Sequence, residues 1–129
     1  MRSKSKKLAK AKADKYFSEY IRRRDSNKEG IGKCITCGKI GHWKDMHNGH
    51  FLSRRYESTR FDPQNCALQC PACNTFNQGR QFEFGIAIDK RYGIGTAQQL
   101  LQKSQMLCKR NQNDYEEIAL EFKNKLNGK

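Results

Sequence analysis

Two Cys-x-x-Cys pairs, Cys34-Ile35-Thr36-Cys37 and Cys70-Pro71-Ala72-Cys73, stand 32 residues apart in a chain of 129. The two-residue spacing turns both sulfurs of a pair towards one point. Two pairs then supply four soft ligands, the tetrahedral set that zinc takes. Four thiolates leave no open position, so such a zinc is structural and not catalytic. A redox dithiol accounts for one pair but not for the second. A disulfide framework is another use for six cysteines, but four of the six fall in metal spacing. Cys66, four residues before Cys70, could substitute as a ligand; otherwise it and Cys108 read as ordinary buried thiols.

Between the pairs lie all three histidines, His42, His47 and His50. A neutral imidazole near pH 7 can take a proton from water attacking a phosphodiester, and His50 is the candidate general base. His42, beside Trp43, reads better as packing or surface. Asn74 follows the last cysteine where a short helix should start. Its side-chain oxygen could hold a hard cation such as Mg²⁺ near a phosphate, or simply cap the helix. Asn65, in Asp62-Pro63-Gln64-Asn65, is either a turn residue or a brace for the active-site loop.

The chain carries 26 Lys+Arg against 13 Asp+Glu, a formal charge of +13, which suits a polyanion and above all nucleic acid. Lys44, Arg54, Arg55, Arg60 and Arg80 surround the site in sequence, and Arg22, Arg23 and Arg24 form a second cluster. Each could hold phosphate, with strong salt dependence. No base-reading motif is present, so backbone or shape recognition is expected. With 36% hydrophobic and 30% charged residues the core is lean, and a structural metal would help to hold it together. No apolar run approaches the roughly 20 residues that span a bilayer, and the basic N-terminus lacks a signal-peptide core. The expectation is a soluble cytoplasmic protein with reduced thiols.

These residues need elements to position them. Residues 1–12 read as a mobile basic arm or the frayed start of a helix. Ala13, Tyr16, Phe17, Tyr20 and Ile21 then share a helical face, and Arg22–Arg24 suit its C-terminal end. Cys34–Gly38 should be a knuckle with positive φ at Gly38. Residues 42–52 suggest a hairpin turning at Asn48-Gly49, and Arg60–Pro63 a second turn. A short helix should run from Cys73 to about Gly79. Phe82–Tyr92 fits strand or helix; helix is chosen because Gly93 and Gly95 then stop it. Further helices are expected from Thr96, with Gln99 completing a capping box, to about Lys109, and from a capping Asn113 to Leu126. The organisation is a basic arm and helix over 1–30, a zinc-bound core over 31–95, and C-terminal helices over 96–129 whose apolar stripes suit a homodimer interface.

The stretches Cys34-x-x-Cys37, Asn48-Gly49-His50-Phe51-x-Ser53-Arg54, Arg60-Phe61-Asp62-x-x-Asn65, Gln69-Cys70-x-x-Cys73-Asn74 and Phe84-Gly85-Ile86 to Tyr92-Gly93 resemble the NinG (Rap) recombination proteins of lambdoid phages. More distantly, they resemble endonuclease VII of T-even phages and the HNH nuclease superfamily. The resemblance implies an α+β, zinc-bound treble clef (ββα-metal) with flanking helices. It also implies a metal-dependent nuclease of branched double-stranded DNA, such as Holliday junctions and D-loops, working with other recombination proteins in the host cytoplasm. By the same resemblance His50 matches the general base, Asn65 the middle asparagine, Asn74 a ligand of a catalytic Mg²⁺ or Mn²⁺, and the four cysteines the structural zinc ligands. The acidic ligand usual just before the base is absent, since Gly49 stands there. His47, or less readily Asp45, must then supply the missing ligand. The readings from other classes are a non-catalytic zinc-stabilised DNA-binding protein that recruits or remodels recombination factors, and an RNA-binding protein.

Overall fold

The computed structural model describes residues 2–128. Along the chain come α1 (Arg2–Arg24), β1 (Ile31–Lys33), β2 (Ile40–His42), β3 (His47–His50), α2 (Glu57–Arg60), β4 (Cys66–Gln69), α3 (Gln81–Tyr92), α4 (Thr96–Ser104) and α5 (Gln112–Leu126). Short 3-10 turns occupy Trp43–Asp45, Pro63–Asn65 and Gln78–Arg80, and a π-type turn occupies Ala72–Phe76. The mixed α+β class is as expected. The chain divides into two units, Met1–Tyr20 with Cys108–Lys129, and Ile21–Leu107, whereas the sequence reading drew its lines after residues 30 and 95. No helix among the described residues is long and apolar enough to cross a membrane.

In the first unit three residues of α1 at four-residue spacing are apolar and buried: Ala9, Ala13 and Phe17. The helix runs through the basic stretch read as a mobile arm or the frayed start of a helix, with Ala9 of that stretch buried; of that stretch, residue 1 lies outside the described residues. The Phe17 and Phe122 rings meet edge-on at 4.9 Å, Tyr20 lies 5.2 Å from Phe122, and Lys10 stands over Tyr115 at 5.6 Å. The buried stripe of α5, Tyr115, Ala119 and Phe122, is therefore covered by α1 of the same chain. This corrects the assignment of that stripe to a second subunit. Asn111, not Asn113, caps α5: its side chain accepts from Asp114 N at 2.8 Å, and Asp114 accepts from Asn111 N at 2.8 Å. Asn113 instead donates to Glu117 one turn on, at 3.2 Å.

In the second unit β1 and β2 form an antiparallel pair with Ile31 opposite His42 and Lys33 opposite Ile40. The knuckle is the loop between them, closed by Gly38 N donating to Cys34 O at 2.9 Å, with Gly38 at φ +81° as expected. β3 pairs antiparallel with β4, His47 opposite Gln69 and His50 opposite Cys66. Asn48-Gly49 is thus strand interior and not the hairpin turn the sequence suggests. Tertiary pairing overrides the local turn preference here, and a Cβ on Gly49 would collide with the Gln69 carboxamide.

All four residues of β4 are buried. Leu68 and Cys70 pack with Cys34, Met46 and Cys73, while Ala67 packs with Leu52, Phe84, Ile88 and Leu100. Phe84 and Ile88 come from α3, which is the helix chosen for this stretch. It ends at Gly93, φ +120°. α4 is shorter than expected, and Gly95 precedes it without a side-chain cap. Asp89 of α3 accepts from Ala97 N at 2.8 Å, and Thr96 Oγ1 donates back to Gly93 O at 2.8 Å, so the expected Thr96–Gln99 box does not form. Arg60–Pro63 is the end of α2 and a turn in which Asp62 accepts from Gln64 N at 2.9 Å.

Asp25 ties these parts together. Its carboxylate accepts from Leu68 N of β4 at 3.0 Å, pairs with Arg24 at 2.9 Å and reaches Arg91 of α3 at 3.3 Å. Burial acts to raise its pKa, but the Arg24 bond and charge, the Leu68 N–H and the Arg91 charge outweigh it, and the net effect holds it below the ordinary 3.8. A depressed carboxyl pKa stabilises the fold above its unfolded value, and that stability is lost as pH falls through the folded one. Asp25→Ala should cost about 2–4 kcal/mol at pH 7, measured by urea unfolding. The gap between wild type and variant should narrow as pH falls below 3.8.

Candidate active site

The four thiols come together as the spacing predicts. Cys34, Cys37, Cys70 and Cys73 place their sulfurs within 4.8 Å of one another. The Cys37 and Cys70 sulfurs are 3.6 Å apart, close to the roughly 3.8 Å edge of a tetrahedron with zinc–sulfur bonds of about 2.3 Å. Cys34, Cys70 and Cys73 are buried and Cys37 is exposed. Cys66 is buried in β4 and is not part of the group.

The electrostatics of the group call for a cation. Burial opposes charge on Cys34, but the Thr36 hydroxyl and the backbone N–H groups of Cys70, Cys37 and Thr36 outweigh it and lower its pKa to about 6. Burial, together with the Cys37 and Cys70 thiols and the Cys34 charge, pushes Cys73 up to about 12 against the opposing Thr36 hydroxyl. Four adjacent sulfurs do not all ionise without a positive charge among them. The residues fit a structural metal such as zinc.

β3 carries the histidines on from there. Side chains alternate along a strand, so His47 and Gly49 share one face and Asn48 and His50 the other. His50 Nε2 lies 3.0 Å from Arg60 O. A carbonyl only accepts, so Nε2 carries the ring proton and Nδ1 is the basic nitrogen of the neutral ring. His47 Nδ1 lies 2.9 Å from Asn74 Nδ2, whose amide donates to it. Asn74 is therefore not a helix cap; its side chain is turned back to β3.

Asn65 is fully buried. Its Oδ1 accepts from Leu52 N at 2.9 Å, and its Nδ2 donates to Leu52 O at 3.1 Å and Thr59 O at 3.2 Å. It braces Leu52, in the loop after β3, against Thr59 of α2, and Arg60 at the end of that helix presents its carbonyl to His50. Asp45 is exposed in its 3-10 turn. His42 accepts from Lys44 N at 3.1 Å and stacks on Trp43 at 5.8 Å, a packing role as read.

The basic residues separate into two groups. Lys44, Arg23, Arg54 and Arg55 are exposed. Arg22 donates to Trp43 O at 3.2 Å and stands over that ring at 5.1 Å. Arg24 donates to Pro63 O and Cys66 O, both at 2.9 Å. Arg60 is buried and donates to Arg54 O at 2.8 Å. These bonds give the half-buried Arg24 and the buried Arg60 carbonyl partners within the chain. Arg80 is half-buried at φ +47°.

Two residues at the site were not singled out in the sequence. Thr36 Oγ1 touches Cys34 Sγ at 3.3 Å, and Gln69 Nε2 donates to Thr36 Oγ1 at 3.1 Å and Gly79 O at 2.8 Å. The signal for Gln69 was a long polar side chain closing a buried run, Cys66-Ala67-Leu68-Gln69. After Cys73 the expected short helix is a π-type turn, with Asn77 N donating to Ala72 O at 3.0 Å, and it ends in left-handed backbone at Gln78, Gly79 and Arg80.

Across known families, a model described as Bacteriophage Lambda NinG protein matches residues 1–128. No curated protein and no solved structure matches the chain.

Two outcomes check the site. Protein isolated without chelator should hold about one zinc per chain; Cys73→Ser should lose it along with several kcal/mol of stability, whereas Cys66→Ser should keep it, by elemental analysis. Asn65→Leu should cost about 2–4 kcal/mol by chemical unfolding, because it strands three buried backbone groups.

Proposed function

We propose, for a chain that belongs to the bacteriophage lambda NinG family, that the β3–β4 site is a metal-dependent endonuclease for branched duplex DNA. Membership of the family points to a part in phage recombination. The nuclease reading rests on one observation above the others, the His50 Nε2 bond to Arg60 O. With Nε2 carrying the proton to that carbonyl, Nδ1 is the basic nitrogen, the form that a general base needs. The strand pair followed by a turn bearing the last two thiols and then α3 supports a treble clef of the ββα-metal kind, similar to endonuclease VII and other HNH enzymes.

In this reading His50 Nδ1 takes a proton from water as its oxygen forms a bond to phosphorus. The bond from phosphorus to the 3′ oxygen breaks, and that oxygen is protonated, leaving 5′-phosphate and 3′-hydroxyl ends. Asn74 and His47 are the residues to hold Mg²⁺ or Mn²⁺: an imidazole and a carboxamide already in contact suit a hard or borderline ion. Such an ion neutralises charge on the phosphoryl group and the leaving oxygen. Lys44, Arg23, Arg54 and Arg55 contact the DNA backbone, with Arg22 and Arg80 beside them. A symmetric dimer would suit paired cuts at a junction, on a face other than the α5 stripe.

The second reading is a zinc-stabilised DNA-binding protein without catalysis. The observation in its favour is that the His47–Asn74 pair satisfies itself and no carboxylate accompanies it. Labelled Holliday-junction, D-loop and plain duplex DNA, incubated with Mg²⁺, Mn²⁺ or EDTA, separates the two. Cutting of branched DNA is expected, and His50→Ala should reduce it by about 10²–10⁴-fold with binding and melting unchanged. Tight, salt-sensitive binding without cutting under any metal would establish the second reading.

A further inference from the structure

Gln69 is fully buried, yet its Oε1 has no hydrogen-bond partner among the described residues. An acceptor left unpaired in a buried place costs about 1–3 kcal/mol, so its position calls for a reason. The amide cannot be turned over to relieve it. Nε2 already donates to Gly79 O at 2.8 Å, and a carbonyl there needs a donor. The orientation of the oxygen is set by its own nitrogen.

The oxygen faces the His47 side of the sheet. Gln69 stands directly opposite His47 in the β3–β4 register, and directly opposed residues of an antiparallel pair put their side chains on one face. The carboxamide then leans along β3 to Gly49. A Cβ on Gly49 would collide with Gln69 Oε1 and come within 2.9 Å of Gln69 Cβ and 3.0 Å of Gln69 Cδ. Asn74 reaches the same face at His47 Nδ1. One imidazole and two carboxamides thus converge where β3 has no side chain of its own at position 49.

We infer that Gln69 Oε1 is a ligand for the divalent cation of this site, completing a neutral set with His47 and Asn74. The inference rests on the nuclease reading and deepens it. Carboxamide oxygens suit Mg²⁺ and Mn²⁺. A set with no negative charge leaves the ion's charge to be met by a phosphate, so cation binding is coupled to DNA. Thr36, which accepts from Gln69 Nε2 and touches Cys34 Sγ, is a positioning residue between the thiol cluster and this oxygen.

The test is Mn²⁺ binding, followed by the electron paramagnetic resonance of free Mn²⁺. It uses the full zinc-loaded chain carrying His50→Ala on uncut junction DNA. Gln69→Met should weaken binding by on the order of tenfold or more, and Gln69→Glu should tighten it, with zinc content unchanged. Binding should also be weaker without DNA. Mn²⁺ affinity lost in His47→Ala and Asn74→Ala but unchanged in both Gln69 variants overturns the inference and leaves the nuclease reading standing. No Mn²⁺ uptake on DNA at all overturns both. Should the Gln69 variants fail to fold, the unsubstituted Gln69 decides the question: with ¹³C-labelled glutamine, its carboxamide carbon should shift on Mg²⁺ addition, and an unmoved resonance overturns the inference.

Discussion

The β3–β4 ladder is the contact on which residues 21–107 depend. β4 has no solvent face, so each of its residues must be matched on both sides. Leu68 joins the thiol cluster's core and Ala67 the core under α3 and α4. The ladder also fixes which histidine faces which way. A slip of one residue would exchange the faces of His47 and His50 relative to β4. The slip is resisted from outside the sheet: Asp25 takes the Leu68 N–H, and Ile35 N donates to Leu68 O at 2.9 Å. Both backbone groups of Leu68 are thereby held by the segments before and within the knuckle.

The thiol cluster and the histidine face are linked through side chains as well as through the backbone. Cys34 Sγ, Thr36 Oγ1, Gln69 Nε2 and Gly79 O lie in one chain of contacts. A thiolate accepts, so with Cys34 ionised the Thr36 hydroxyl points its proton at sulfur and its lone pair at Gln69. The orientation of the Gln69 amide is then set from both ends. Order at the cysteines is in this way transmitted to the polar groups beside β3, although the two clusters do different work.

Much of this was legible in the residues. The Cys-x-x-Cys spacing grouped the four sulfurs and Gly38 its positive φ, because each is carried by a few residue types at fixed spacing; Asn65 stayed open between turn and brace, since its bonds reach Leu52, 13 residues away. The errors came where a partner distant in sequence decides. Asn48-Gly49 has the preference of a turn, but pairing with Ala67 and Leu68 makes it a strand. Thr96 has the form of a cap, yet Asp89 of the preceding helix fills that role. Lysines every few residues concealed that the Ala13–Phe17 face continues back to Ala9. Arg24 and Arg60 were read by charge alone, and nothing in the sequence marks the carbonyls that they donate to.

Gly49 and Gln69 occupy one volume between them. The absent side chain of one is the room into which the other's carboxamide fits. The two positions are therefore coupled: a side chain at residue 49 requires the Gln69 carboxamide to give up its bonds to Gly79 O and Thr36 Oγ1, or residue 69 to be shorter. Any larger residue at position 49 has to displace the Gln69 side chain, whose Cβ as well as its carboxamide lies in the way.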